Sequence, residues 1–167
     1  MKLFKPWCNP FFFVGSVVLL LSTVVVADSV SSGLESVEKN KQIRLFSTES
    51  SYADVKDDLL AAIEERGLVI SYIAHAKAMF DRTKEVTGEK EPIYDNAEIL
   101  LFCKSDLSYN LVKKNPHNLI FCPYAISLYV LHTEPKRVYL SYKEQDNSQE
   151  VTKPINELLK GIILDAL

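Results

Sequence analysis

The sequence predicts an α+β domain of two layers, with helices packed on one face of a mixed β-sheet. Three observations carry that prediction. Apolar residues follow the helical period in two long segments and a period of two in others. Turn residues separate the two kinds of segment. Helices and strands alternate for most of the chain, and then two strands follow one another. The resulting order is β-α-β-α-β-α-β-β-α.

The elements follow in chain order. Ile43 to Phe46 is a short strand. Ser50 or Ser51 caps a helix in which Tyr52, Val55, Leu59, Ala62 and Ile63 share one face. Glu64, Glu65 and Arg66 close it toward solvent, and Gly67 supplies a left-handed exit. Leu68 to Ile73 is the second strand. Ala76 to Thr87 is a helix that turns Met79, Phe80 and Thr83 inward and ends at Gly88. After a charged turn from Gly88 to Pro92, the run Glu98 to Cys103 reads as a strand buried on both faces.

Ser105 caps a short helix bearing Leu107, Leu111 and Val112, which Asn115-Pro116 stops. Ala125 to His132 and Arg137 to Tyr142 alternate around Thr133 to Lys136 and form a hairpin. A polar loop, Lys143 to Glu150, leads to a final helix with Pro154 in its first turn. Ile155, Leu158, Leu159, Ile162, Ile163 and Ala166 make an unbroken stripe there, so this helix packs on the sheet.

Ahead of these elements lies an apolar run from Phe11 to Ala27, preceded by Lys2 and Lys5 and closed by Val25-Val26-Ala27. A basic start, an apolar middle and a small-residue exit make a secretory signal peptide, residues 1–27, cleaved after Ala27. An uncleaved anchor is the rival, but Gly15, Ser16, Ser22 and Thr23 dilute the run, and no basic cluster follows it. Residues 28–41, rich in Ser, Glu and Lys, read as a flexible tether. Residues 42–167 form a single domain without internal repeats. Removing the leader from the 167-residue chain leaves 140 residues with 17 basic and 22 acidic side chains, so net charge moves from −3 to −5. That acidity argues against a nucleic-acid partner and against lasting contact with an anionic membrane once the leader is gone.

Two of the three cysteines, Cys103 and Cys122, survive cleavage; Cys8 does not. In an oxidising compartment two cysteines form a disulfide, hold a metal or act as a redox couple. Cys103 ends one strand and Cys122 precedes another, so a bond closes easily between antiparallel strands and fails between parallel ones. A redox couple needs a lowered thiol pKa. Cys103 stands ahead of a helix that can supply it, but the C-x-x-C spacing is missing. A metal site would draw on His75, His117, Cys103 and Cys122, with Met79 as a further ligand, and these residue types suit copper or zinc. Their spacing matches no metal motif, so the expectation is no cofactor, with Cu or Zn as the alternative.

No catalytic residue is expected. The chain has no glycine-rich phosphate loop, no G-x-S-x-G and no H-E-x-x-H. Asp57-Asp58 and Glu64-Glu65 sit on a polar helix face, His132 reads as a surface residue beside a turn, and Tyr129, Tyr139 and Tyr142 read as cross-strand packing.

Ile73-Ala-His75-Ala76, then Ile99-Leu-Leu-Phe102, a short helix ending at Asn115-Pro116, and Cys122-Pro123-Tyr-Ala-Ile126-Ser-Leu128-Tyr-Val130 together resemble the family called domain of unknown function 302. The similarity runs from Ile43 to the last helix. It implies a small bacterial α+β protein, often dimeric and sometimes exported, and brings no reaction with it. Ala74, Cys103 and Cys122 depart from the family's usual pattern and mark a subgroup with paired thiols. The expectation is therefore an exported, periplasmic, non-catalytic binding or accessory domain with a structural disulfide, forming a homodimer and taking a small-molecule or protein ligand. The alternative is a thiol-redox or copper-handling protein using Cys103, Cys122 and His75.

Overall fold

The computed structural model describes residues 42–147 and 149–167; the expected leader and tether lie outside the described residues. The elements are β1 (Ile43–Thr48), α1 (Tyr52–Glu64), β2 (Val69–Ala74), α2 (Ala76–Thr87), β3 (Tyr94–Cys103), α3 (Ser105–Lys114), a 3-10 turn (Pro116–Phe121), β4 (Tyr124–Leu131), β5 (Val138–Lys143) and α4 (Lys153–Asp165). Their order is the one the sequence predicts. Local chemistry sets the ends. The Ser51 hydroxyl accepts from the Asp54 amide at 3.1 Å to start α1, and Gly67 and Gly88 leave α1 and α2 at φ of 68° and 78°.

The five strands form one open sheet in the order β1-β5-β4-β3-β2, and every pairing is antiparallel. The sheet is thus not mixed. Both α2 and α3 are long enough to cross back for a parallel return, yet neither does so. After α2 the chain comes back at Tyr94, level with Leu131, and β3 runs back along β2 until Cys103 meets Val69. Among the described residues, no helix is long and apolar enough to cross a membrane.

Alternation along the strands divides the sheet into two unlike faces. Leu100, Phe102, Ile126, Leu128, Val138 and Leu140 point to one face and are almost fully buried. Val55, Leu59 and Ile63 of α1, Leu111 of α3, and Ile155, Leu159, Ile162 and Ile163 of α4 close over them in one core cluster. The stripe on α4 does what its periodicity implies. Its buried Asn156 also stitches down the preceding loop, donating to Gln145 O at 2.9 Å and Asn147 Oδ1 at 2.7 Å and accepting from Gln145 N.

The second face is lined by the alternate residues. Ile99 stands opposite Ser127 and Ser127 opposite Ser141; in the next row Ala97 stands opposite Tyr129 and Tyr129 opposite Tyr139. β3 is therefore fully buried on one face and partly on the other, where Ala97 is buried but Ile99 and Leu101 are half-buried, although its apolar run reads as buried on both. The helix α2 borders this second face rather than joining the core. None of its residues is buried, and Met79 and Phe80, expected inward, are 44% and 41% exposed.

Candidate functional site

Three places bring chemistry-bearing side chains together. The first is centred on Glu98, which faces the core side near the end of the sheet. One oxygen, Oε1, receives His75 Nδ1 at 2.9 Å. The other, Oε2, receives the Tyr52 hydroxyl at 2.9 Å and Lys56 Nζ at 2.6 Å. An ionised carboxylate only accepts, so the shared proton lies on His75 Nδ1 and leaves Nε2 outside this bond, on a ring that is 66% exposed. Burial pushes the Glu98 carboxyl up, but the bonds from Lys56, Tyr52 and His75 outweigh it and hold the carboxyl below its ordinary value. Burial first, and then the bond and charge of Glu98, raise the Tyr52 phenol well above its usual range. The cluster ties α1 and the start of α2 to β3. Its carboxylate accepts from three donors, two on Oε2 and one on Oε1.

The second place is the cysteine pair. Antiparallel pairing sets Phe102 opposite Tyr124, so the end of β3 and the start of β4 are neighbours. The sulfurs of Cys103 and Cys122 stand at disulfide distance, with their Cα atoms 6.4 Å apart. That spacing lies inside the range a disulfide requires. Ser108 of α3 adds a polar thread, its hydroxyl 3.6 Å from Cys122 Sγ and 3.1 Å from the Tyr124 hydroxyl.

His75 does not share this site. It sits level with Glu98, five residues before Cys103 along β3, a separation of about 16 Å along an extended strand. His117 lies in the 3-10 turn, with its amide bound by the Asn115 side chain at 3.0 Å. Among the described residues, no three His, Cys, Asp or Glu side chains converge as a metal site. His132, read as a lone surface residue, contacts Asp95 at 2.7 Å. Asp57, Asp58, Glu64 and Glu65 are exposed, as their helix positions imply.

The third place is a pair of hollows flanking the Phe80–Tyr94 contact, whose ring centroids are 5.7 Å apart. A hollow of about 170 Å³ lies between α2 and the loop into β3, with Met79, Pro92 and Ile93 among its walls. Another, of about 300 Å³, lies on the second face between Ala76 and Phe80 of α2 and the floor residues Ala97, Ser127 and Ser141. Tyr94 meets Tyr129 edge to face at 5.6 Å, and Tyr129 stacks on Tyr139 at 5.3 Å, so aromatic rings run from α2 across to β5. Tyr142 is not part of that run. Three residues beyond Tyr139, it turns to the core and stacks on Phe46.

Tyr52, Lys56 and Glu98 escape a sequence reading because their partners are distant in the chain. The one available signal was Glu98 itself, an acid opening an otherwise apolar strand.

Fold and site together define a small α+β protein with an open antiparallel sheet, a cysteine clasp between its central strands and an aromatic face bordered by α2. The domain of unknown function DUF302 matches residues 44–162, and the chain belongs to that family. The crystal structure of an uncharacterized conserved DUF302 protein from Bacillus stearothermophilus has the same fold, with a TM-score of 0.62, 10% identity, and coverage of 77% of this chain and 100% of that one. Among the curated proteins, none matches.

Proposed function

We propose that this protein is an exported, non-catalytic binding domain, with Cys103–Cys122 as a structural disulfide and the second face of the sheet as its binding surface. The observation that carries this reading is the contrast in burial. One face is closed by α1, α3 and α4, whereas α2 borders the other without burying a single residue. Aromatic side chains left half-exposed beside a concavity are the usual make-up of a ligand site. The non-catalytic part is supported at Glu98, whose three donors make it a tie between α1, α2 and β3. Export is supported by the leader-like start of the chain and by a cysteine pair suited to an oxidising compartment. Once exported, the protein stays in the periplasm as a homodimer, apart from the membrane and from nucleic acid.

Native mass spectrometry of the protein purified from the periplasm tests the whole reading. The expected species lacks Met1 to Ala27, is two hydrogens lighter than its reduced form, and carries a small molecule. Recovery of the intact leader in a membrane fraction overturns export. Free thiols in the purified protein overturn the disulfide.

A second reading is favoured by the Ser108 hydroxyl, which is placed to donate to a reduced Cys122. On that reading the pair cycles between thiol and disulfide. Reduction by glutathione-range couples without loss of fold would establish it.

A further inference from the structure

We infer that the 300 Å³ hollow under the start of α2 is a binding site for a neutral, planar ring compound of one or two fused rings. This inference rests on the reading of the second face as a binding surface and names the class of ligand it takes.

Three features on the page select that class. The first is shape. Register stacks small side chains in the middle of the face, Ser127 beside Ser141 and Ala97 beside Tyr129, and the missing bulk forms a recess rather than a flat surface. The second is the nature of the walls. Phe80, Tyr94 and Tyr129 touch one another in a continuous run along the recess, so a flat ring laid there meets aromatic surface. The volume accommodates one or two fused rings and lies at the small end of the usual range for ligand sites.

The third feature is charge. Among the described residues, Glu98 is the one charged side chain bordering this hollow, and its oxygens are bound to His75, Tyr52 and Lys56 on the core side of β3. A charged ligand would therefore lose its water shell without finding a counter-charge, which is costly. A neutral one gives up little and gains the hydroxyls of the floor. Ser141 bonds to Tyr129, and the Ser127 hydroxyl beside it is placed to meet a polar group on the ring's edge. The neighbouring hollow differs, because Lys77, Asp81, Lys84, Glu89 and Glu91 ring its mouth.

The test uses isothermal titration of the purified protein with 2-naphthol and with naphthalene-2-sulfonate, the same ring system bearing a charge. The expected result is saturable binding of 2-naphthol and at least tenfold weaker binding of the sulfonate. Ser127→Leu fills the recess and should weaken 2-naphthol at least tenfold with the circular dichroism spectrum retained. Thr87→Leu, in the other hollow, should leave it within twofold. Amide shifts of the wild-type protein on adding 2-naphthol should centre on Phe80, Ala97 and Ser127, a measurement independent of whether any variant folds. Equal affinity for the two probes, or shifts centred elsewhere, overturns the inference. A charged molecule found bound in the native mass spectrum, with no 2-naphthol binding, overturns it while leaving the binding reading intact.

Discussion

The same five strands present two faces that differ in everything except backbone. On one, leucines, isoleucines and Phe102 are sealed under three helices, and Leu59, Ile63, Leu100, Leu140, Ile155 and Ile162 have no exposure at all. On the other, tyrosines, serines and an alanine lie beside a helix with no buried residue. The first face supplies the folding free energy, since stabilisation follows apolar area removed from water. The second contributes little to that and keeps its aromatic surface available. Stability and the proposed binding surface thus lie on opposite sides of one sheet, and mutations should sort by side.

The largest effect is expected in the sealed core. Ile162→Ala should cost about 2–5 kcal/mol in urea denaturation, since the side chain is fully enclosed. A loss below about 1 kcal/mol would mean that α4 does not seal the first face, and the contrast would collapse. The cysteine clasp comes next. Cys103→Ser should cost about 3 kcal/mol, as expected for a bond spanning 19 residues. A much smaller loss, with the fold intact, would move the pair from structure to chemistry.

The Glu98 cluster sharpens the comparison because it links the start of α2 to the core side. Tyr52→Phe should cost about 1 kcal/mol by removing one half-buried donor from Glu98. The carboxyl's folded pKa lies below the ordinary 4.5, so its stabilisation is complete above that value. It is lost as pH falls through the lowered folded value. Acid titration of stability should therefore show a decline below pH 4.5 that is reduced in Glu98→Gln. An unchanged acid limb would show that the cluster does not stabilise the fold.

The smallest stability effect belongs to the second face. Phe80→Ala should cost less than about 1 kcal/mol, against 3–5 for a phenylalanine in a sealed core, because its side chain remains 41% exposed. The same substitution should markedly weaken 2-naphthol. A loss of several kcal/mol would place α2 in the core after all.

Periodicity made the helices and most strands readable, because burial of one face leaves a regular imprint. The bounds of α2, Ala76–Thr87, agree with Gly88 as its stop, and the α4 stripe is buried as read. What escaped reading depended on partners remote in sequence. Strand β3 begins at Tyr94, four residues before its apolar run, because Asp95 and Asn96 pass through an irregularity in the pairing with β4. The 3-10 turn Pro116–Phe121 carries no periodic signal. Met79 and Phe80 have helical spacing whether or not anything covers them, so their sequence could not show which side they face. For the site, the cysteine pairing was readable up to one unknown, the relative direction of β3 and β4. Antiparallel pairing settles it in favour of proximity. The convergence on Glu98 was not readable, because Tyr52 lies 46 residues and His75 lies 23 residues away.

The position of the clasp has a consequence for the connectivity of the molecule. Cys103 and Cys122 bracket α3 and the 3-10 turn, and Lys113 and Lys114 are exposed where the two meet. Once the sulfurs are joined, cutting the backbone there severs the polypeptide but not the protein. The two pieces stay tethered beside strands that already pair from Ala97↔Tyr129 to Phe102↔Tyr124. A protease nick at these lysines adds one water to the mass and separates nothing until a reductant is supplied. The same segment is therefore where the chain tolerates being opened, whether by a protease, by relocated termini or by an inserted module.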